Sequence, residues 1–186
     1  MFRNSATAKL VRTGIIAALY AALCFLTFPI ASGAIQLRLS EGLSLLPLVF
    51  PEATIGVAAG CFVVNLVTGC AIPDVIFGTL ITLFAATFTY LIGKSIKKTA
   101  VKIVVGGAFP VLFNAFGLPL IWYFCYGGLE YVYMLSVLFL FLGEGVSVYL
   151  VGVPIVLFME KLKKKKSVNE ENFATKTENE KEKQIK

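Results

Sequence analysis

Polar side chains that could bind a ligand lie inside long apolar stretches of the sequence. Glu144, between two glycines, is near the middle of the last stretch, where a charged side chain costs on the order of 3 kcal/mol in a membrane. It is either a protonated or paired glutamate that holds helices together, or a carboxylate that faces a ligand. Asn114 and Asn65 can bridge helices or bind a ligand. Asp74 can stabilise a helix start or bind a ligand.

A second set of polar side chains lies in the string Gln36-Leu-Arg-Leu-Ser-Glu41. The alternation of polar and apolar residues is typical of an extended segment, and it would place Gln36, Arg38 and Ser40 on one face. Two interpretations remain open. Either Arg38 pairs with Glu41 and stabilises a loop, or the segment covers a pocket and Gln36 or Arg38 reaches the ligand.

The residue inventory argues against catalysis and against a bound metal. The chain has four cysteines, none of them in C-x-x-C spacing, and no histidine, so neither a zinc site nor a histidine-dependent active site is expected. A G-x-x-x-x-G-K-[ST] phosphate loop is also absent from the sequence. We therefore expect this chain to be no enzyme and to bind neither a metal nor a cofactor.

Composition places the chain in the membrane class. It is 58% hydrophobic over 186 residues, with a mean hydropathy of +0.83, whereas soluble domains are usually about 45–50% apolar. The net charge of +6 does not indicate nucleic-acid binding, because the lysines gather at the ends of apolar stretches. A water-exposed surface could not be built from the few charged residues between positions 13 and 92, which are Arg38, Glu41, Glu52 and Asp74.

Four apolar stretches have about the 20 residues that cross a bilayer: 11–30, 73–92, 101–123 and 131–159. Residues 42–69 form either one further span or two short ones. Two spans that turn near Pro51 and Glu52 place all the basic clusters on one side of the membrane, as the positive-inside rule requires. The sequence therefore predicts an all-α integral membrane protein, a six-transmembrane-helix bundle with both termini in the cytoplasm.

The second span, residues 41–50, is short and contains Pro47. Such a segment needs neighbours or a cavity to satisfy its backbone groups, and broken helices mark binding sites in transporters. The membrane domain is predicted at residues 11–159, after a cytoplasmic N-terminus at residues 1–10. The lysine- and glutamate-rich tail, residues 160–186, is predicted to be disordered in the cytoplasm.

Small residues recur along the first span: Gly14, Ala17, Ala18, Ala21 and Ala22. A stripe of this kind lets another helix approach closely. It serves either packing inside the bundle or docking of another membrane subunit.

Several of these strings together resemble the queuosine-precursor transporter family. The resemblance covers about residues 11–159. It rests on the string at 36–41 followed by Leu46-Pro47, on Asn65-Leu66, on Pro73-Asp74-Val-Ile-Phe-Gly78, on Phe113-Asn114 and on Gly143-Glu144. Members of that family are substrate-binding S components of energy-coupling factor (ECF) transporters.

The resemblance implies a six-helix S component in the bacterial plasma membrane. It implies that the small-residue stripe docks a transmembrane coupling subunit. Two ATP-binding subunits of the same assembly would use the ATP, so that no cofactor binds this chain. The implied ligand is a 7-deazaguanine, a small-molecule precursor of queuosine.

For such a ligand Glu144 is the candidate that accepts two adjacent N–H groups of the guanine-like edge, since a carboxylate can accept both at once. Asn114 and Asn65 would meet the carbonyl or ring nitrogens. Asp74 would meet an aminomethyl group if the ligand carries one.

Other readings of the same residues remain open. Trp122, Tyr123 and Tyr126 either form an interfacial belt or stack on the flat ring of the ligand. The chain is alternatively an S component for another vitamin or nucleobase. It is also conceivable as a stand-alone secondary transporter, although no internal repeat relates its two halves.

Overall fold

A computed structural model of the chain describes the backbone of residues 5–31, 37–127 and 130–185, and the side chains of these residues except 30–31, 130–131 and 170–185. Within these ranges the regular structure is helical, without a strand. The α-helices are α1 (Ala6–Ala31), α2 (Ala53–Val67), α3 (Thr79–Ser95), α4 (Thr99–Tyr126), α5 (Glu130–Val146) and α6 (Gly152–Ile185). A 3-10 helix spans Leu39–Leu48, and π-helical turns span Asp74–Gly78 and Ser147–Val151.

Four helices in the described part of the chain are long and apolar enough to cross a membrane: Ala6–Pro29, Asp74–Ser95, Thr99–Tyr126 and Val132–Asn169. They coincide with the four long stretches that the sequence predicts. The chain is therefore a multi-pass membrane protein. The predicted turn near Pro51 and Glu52 is also present, because the 3-10 helix ends before Pro51 and α2 begins after Glu52. That both elements cross the membrane stays a prediction.

The 3-10 helix, which we call the central segment (Leu39–Leu48), is the most enclosed element of the fold. Every residue from Ser40 to Leu48 is buried, and the segment contacts α1, α2, α3, α4, α6 and the Ser147–Val151 turn. Its 10 residues extend about 20 Å as a 3-10 helix, against about 15 Å as an α-helix. The tighter winding therefore lets a short segment reach further into the bundle, and the surrounding helices keep its backbone away from lipid.

Glycines allow two helices to pack directly on the backbone of the central segment. A Cβ atom on Gly152, at the start of α6, would lie 2.6 Å from the carbonyl oxygen of Gly42. A Cβ atom on Gly93, in α3, would lie 2.8 Å from the Cα atom of Leu48. Side chains at these positions would push the helices away from the segment, so the glycines set the packing distance at the centre of the fold.

One end of the bundle carries ion pairs that join distant parts of the chain. Arg12 in α1 pairs with Glu52 at the start of α2, and Lys102 in α4 pairs with Glu160 in α6. We call this the basic end. The guanidinium of Arg12 also lies over the ring of Phe50, 5.7 Å from its centroid. The turn after the central segment therefore lies at the same end as the first turns of α1 and α4.

Two predictions about local structure are corrected. The backbone of Arg38 is extended, with φ −109° and ψ 100°, but Ser40 and Glu41 lie in the 3-10 helix and are buried, so the predicted polar face of an extended loop does not form. The physical reason is that Ser40 and Glu41 find polar partners inside the bundle. Composition also predicted disorder after residue 159, whereas α6 continues to Ile185. Lysine and glutamate have high helix propensity, so a composition that cannot build a core can still form a helix.

The close approach at Gly152 gives a first test. We expect Gly152→Ala to lower the free energy of unfolding by about 1–3 kcal/mol, because the added Cβ meets backbone atoms that cannot move aside. Gly145→Ala is the matched control, since a Cβ atom there meets nothing within 4 Å. Thermal unfolding of the purified protein in detergent measures both. Equal stability of the two variants would contradict the packing described for the central segment.

Candidate functional site

Glu144 is buried, and its carboxylate can still accept hydrogen bonds. The residue lies in the last turn of α5 and is 1% exposed, and neither oxygen of its carboxylate has a hydrogen-bond partner. Ser147, three residues later, is also buried, and its hydroxyl also has no partner. Residues three apart lie on one helix face. Buried polar groups in folded proteins are almost always hydrogen-bonded, so these two side chains are the candidates for contact with a polar ligand.

Side chains from three other parts of the chain surround this carboxylate. Glu144 interacts electrostatically with Glu41, Arg38 and Asn114. The amide of Asn114, in α4, approaches the carboxylate without completing a hydrogen bond of normal geometry. We call Glu144, Asn114, Arg38 and Glu41 the Glu144 cluster. The structure therefore brings together three predicted site residues, Glu144, Asn114 and Arg38, and adds the carboxylate of Glu41.

Glu41 is held in place from two sides. It is 2% exposed and accepts hydrogen bonds from the hydroxyl of Tyr20, in α1, and from the hydroxyl of Ser44 at 2.9 Å. The sequence analysis treated Glu41 only as a loop partner of Arg38. Glu41 could have been identified from the sequence in the same way as Glu144, because it too is a charged residue inside an apolar stretch.

Two further candidates, Asn65 and Asp74, lie together at the end of the bundle opposite the basic end. Asp74 begins the π-helical turn before α3, and its carboxylate accepts hydrogen bonds from the Nε1 atom of Trp122 at 3.0 Å and from the hydroxyl of Tyr126 at 2.8 Å. The side-chain amide of Asn65 donates to the backbone oxygen of Asp74 at 3.3 Å. We call Asp74, Asn65, Trp122 and Tyr126 the Asp74 cluster.

The two clusters are linked through α4. Asn114 belongs to the Glu144 cluster and Trp122 to the Asp74 cluster, and eight residues separate them along the helix. That spacing corresponds to about 12 Å along the axis and to the same broad helix face. Leu118, between them, belongs to a buried apolar cluster. The two clusters are therefore separated along α4 by a packed apolar layer.

Both π-helical turns adjoin these clusters, at Asp74–Gly78 and at Ser147–Val151. Such turns occur often at functional sites, because the extra residue re-aims the side chains beside it. Nothing in the sequence predicted them. The remaining binding candidate, Gln36, lies outside the described residues.

The small-residue stripe of α1 faces away from the bundle only in part. Gly14, Ala18 and Ala22 are exposed, and Ala17 and Ala21 are half-buried. The opposite face of the same helix carries the buried Tyr20. Packing within this chain therefore does not account for the exposed part of the stripe.

No group of three potential metal ligands occurs among the residues that the structure describes. Of the three aromatic residues considered for stacking, Trp122 and Tyr126 bind Asp74, whereas Tyr123 packs edge-to-face against Tyr133, with ring centroids 6.3 Å apart.

A family model described as QueT transporter matches residues 10–161. The chain belongs to the QueT transporter family. The match covers nearly the whole membrane body and both clusters, and it confirms the resemblance to queuosine-precursor transporters. Curated proteins and solved structures give no significant match. As a QueT transporter the chain is a membrane protein whose family handles a queuosine precursor.

The support of Glu41 by Tyr20 gives a second test. We expect Tyr20→Phe to lower the free energy of unfolding by about 1–3 kcal/mol, because a buried carboxylate loses a hydrogen-bond donor. Tyr149→Phe is the matched control. Its hydroxyl donates to the backbone oxygen of Val104 at 2.8 Å in an exposed position, so its loss is expected to cost less than about 1 kcal/mol. Chemical or thermal unfolding in detergent compares them, and equal losses would argue against a special role for the Tyr20–Glu41 contact.

Proposed function

We propose that this chain is the S component of an ECF-type, ATP-driven importer, and that it binds a 7-deazaguanine precursor of queuosine at the Glu144 cluster. The observation that carries the proposal is the buried carboxylate of Glu144 with both oxygens unpartnered. Membership of the QueT transporter family supplies the class of ligand.

The chemistry of Glu144 suits a guanine-like edge. That edge presents two adjacent N–H donors, and a carboxylate can accept both in one plane. Charge-assisted, two-point hydrogen bonds of this kind are strong and orienting, and they are strengthened where water is excluded. Asn114 offers both a donor and an acceptor for the carbonyl or a ring nitrogen of the ligand. The guanidinium of Arg38, one residue before the central segment, is a further hydrogen-bond donor.

The other candidates take different parts in this proposal. The side-chain N–H of Asn65 donates to the backbone oxygen of Asp74. We therefore assign Asn65 to positioning the Asp74 turn, and its amide oxygen is the atom that would contact a ligand. Gln36 would reach the ligand from the segment that precedes Arg38.

We further propose six membrane crossings with both termini in the cytoplasm, where the charged tail would lie. In support, Lys163 in α6 donates to the backbone oxygen of Val49 at 3.4 Å, so the turn after the central segment and the start of the lysine-rich stretch lie at the same end. The basic end would face the cytoplasm, in line with the positive-inside rule, and the Asp74 cluster would face outward.

In this assembly the exposed stripe on α1 docks the transmembrane coupling subunit. Small residues let two helix backbones approach closely, which is how helices associate where lipid removes the hydrophobic driving force. Two ATP-binding subunits hydrolyse ATP, and the activity of this chain is binding and translocation in the bacterial plasma membrane rather than catalysis.

Ligand binding by Glu144 can be tested on the purified chain. We expect Glu144→Gln to weaken the binding of a 7-deazaguanine by about 100-fold or more, since losing a charged acceptor of two buried hydrogen bonds costs about 3 kcal/mol. Glu160→Gln is the control, because Glu160 pairs with Lys102 at the basic end. Isothermal titration with queuine, its aminomethyl and cyano precursors, guanine and riboflavin measures the affinities. If folded protein binds no deazaguanine, the ligand assignment is wrong. Tight binding of riboflavin instead would indicate an S component for another vitamin.

Docking through α1 can be tested separately. We expect Gly14→Leu to abolish co-purification with the coupling subunit, because a large side chain prevents close helix approach, while ligand binding by the isolated chain persists. Gly145→Leu is the control, since neither glycine has an atom within 4 Å of a Cβ position. Unchanged co-purification of the Gly14 variant, or uptake by this chain alone in vesicles without ATP, would count against an S component.

A further inference from the structure

The basic end of the bundle carries a run of lysines whose charge the described contacts do not balance. Five of the six residues at positions 161–166 are lysine, and the one acidic residue between positions 145 and 169 is Glu160. Glu160 already pairs with Lys102 and accepts a hydrogen bond from the hydroxyl of Thr99 at 3.0 Å. The positive charge of the run is therefore available to a partner outside the bundle.

These lysines lie on different sides of α6. Lys163 donates to the backbone oxygen of Val49 at 3.4 Å, so its side of the helix faces the bundle. Because each residue of an α-helix advances by about 100°, Lys164 and Lys165 lie within about 60° of Lys161, on the side away from Lys163. All three are exposed, and no described side chain gives them an ion pair or a hydrogen bond. We call Lys161, Lys164 and Lys165 the lysine face.

The lysine face continues the part of α6 that faces lipid. Leu157 and Phe158 lie on the same side of the helix and are 40% and 59% exposed, as expected of apolar side chains that contact lipid. The lysine face begins two residues after Met159 and extends about 3–9 Å beyond it along the helix axis. The headgroup layer on each side of a bilayer is about 5–7 Å thick. The ammonium groups therefore lie at the level of the lipid headgroups.

The side chains of the lysine face enclose a place for an anion. Together with Val168 and Asn169 they line an open concavity of about 310 Å³. A phosphate seated there is within reach of three ammonium groups, which form strong charge-assisted hydrogen bonds. Clusters of lysine directly after a membrane-spanning helix attract anionic lipid in this way.

The rest of the tail does not extend this positive charge. Residues 170–186 contain five glutamates and four lysines, so the excess of positive charge is confined to the part of α6 next to the membrane. This distribution favours a lipid phosphate over a soluble polyanion, which would meet the acidic part of the tail as well.

We propose that the lysine face of α6 binds the phosphate of an anionic phospholipid, such as phosphatidylglycerol, in preference to a zwitterionic one. A zwitterionic choline headgroup brings a positive charge of its own, which the lysines repel. The site uses no residue of the Glu144 cluster or the Asp74 cluster, so it does not depend on the proposed ligand.

The test compares two lipids on the same protein. The full chain, purified in a nonionic detergent, is titrated with phosphatidylglycerol and with phosphatidylcholine of the same acyl chains, and native mass spectrometry counts the lipids bound to each chain. We expect a preference for phosphatidylglycerol of about tenfold or more, since each lysine at an anionic surface contributes about fivefold. The combined substitutions Lys161→Gln, Lys164→Gln and Lys165→Gln should abolish the preference.

A matched control removes the same charge from another part of the tail. It combines Lys176→Gln, Lys181→Gln and Lys183→Gln. The first of these positions lies about 16 Å beyond Lys165 along α6, which exceeds the screening length of about 8 Å at physiological salt. The control should keep the preference, and thermal unfolding in lipid-free detergent should be unchanged in both variants because the lysine face has no described partner. An equal loss of preference in both variants would overturn the proposal.

Two further measurements use the unmodified chain alone. Rising ionic strength should weaken the binding of phosphatidylglycerol and leave that of phosphatidylcholine almost unchanged. Glycerol 1-phosphate, which has the phosphate without acyl chains, should not displace phosphatidylglycerol at equal concentration. Displacement would identify a site for soluble phosphates and overturn the lipid assignment, and equal binding of the two lipids would overturn the proposed preference.

Discussion

The fold depends on removing the backbone of ten consecutive residues from lipid. The central segment, Leu39–Leu48, is too short to cross a bilayer as an ordinary α-helix and carries Pro47, which has no N–H to donate. An irregular backbone is tolerated at membrane depth only where protein or a cavity surrounds it. The surrounding helices meet this requirement by packing on it from every side, and glycines at 93 and 152 bring α3 and α6 into contact with its backbone. The segment thereby organises the helices around it.

The same constraint creates the site. Because the central segment enters the interior, it brings Glu41, and Arg38 directly before it, near Glu144 at the end of α5. A charge at this depth requires partners, and Glu41 has two, Tyr20 and Ser44. Neither oxygen of Glu144 has a hydrogen bond of normal geometry, although the amide of Asn114 approaches the carboxylate. Glu41 is thus hydrogen-bonded within the fold, whereas Glu144 is the carboxylate that we propose to bind a ligand.

Helix α1 has one buried face and one exposed face. Its buried face holds Tyr20 against Glu41, and its exposed face presents Gly14, Ala18 and Ala22. This arrangement places the exposed small residues one helix thickness from the carboxylate of Glu41. Under the proposed function, ligand binding and docking would therefore both involve α1, although they would use different residues.

The sequence by itself determined the membrane class, the four long spans, the turn at Pro51 and Glu52, and the family, and it singled out most residues of the two polar clusters. Each depends on local quantities: hydropathy over about 20 residues, the position of lysines, or a charged residue in an apolar stretch. Only the tertiary structure decided which of these residues meet. It grouped Glu144, Asn114 and Arg38, placed Asn65 and Asp74 in a second cluster, buried Ser40 and Glu41 where alternation had predicted an extended face, and turned the stripe of α1 outward. These outcomes depend on contacts between residues far apart in the chain, and such contacts override local periodicity whenever a buried polar group finds its partner on another helix.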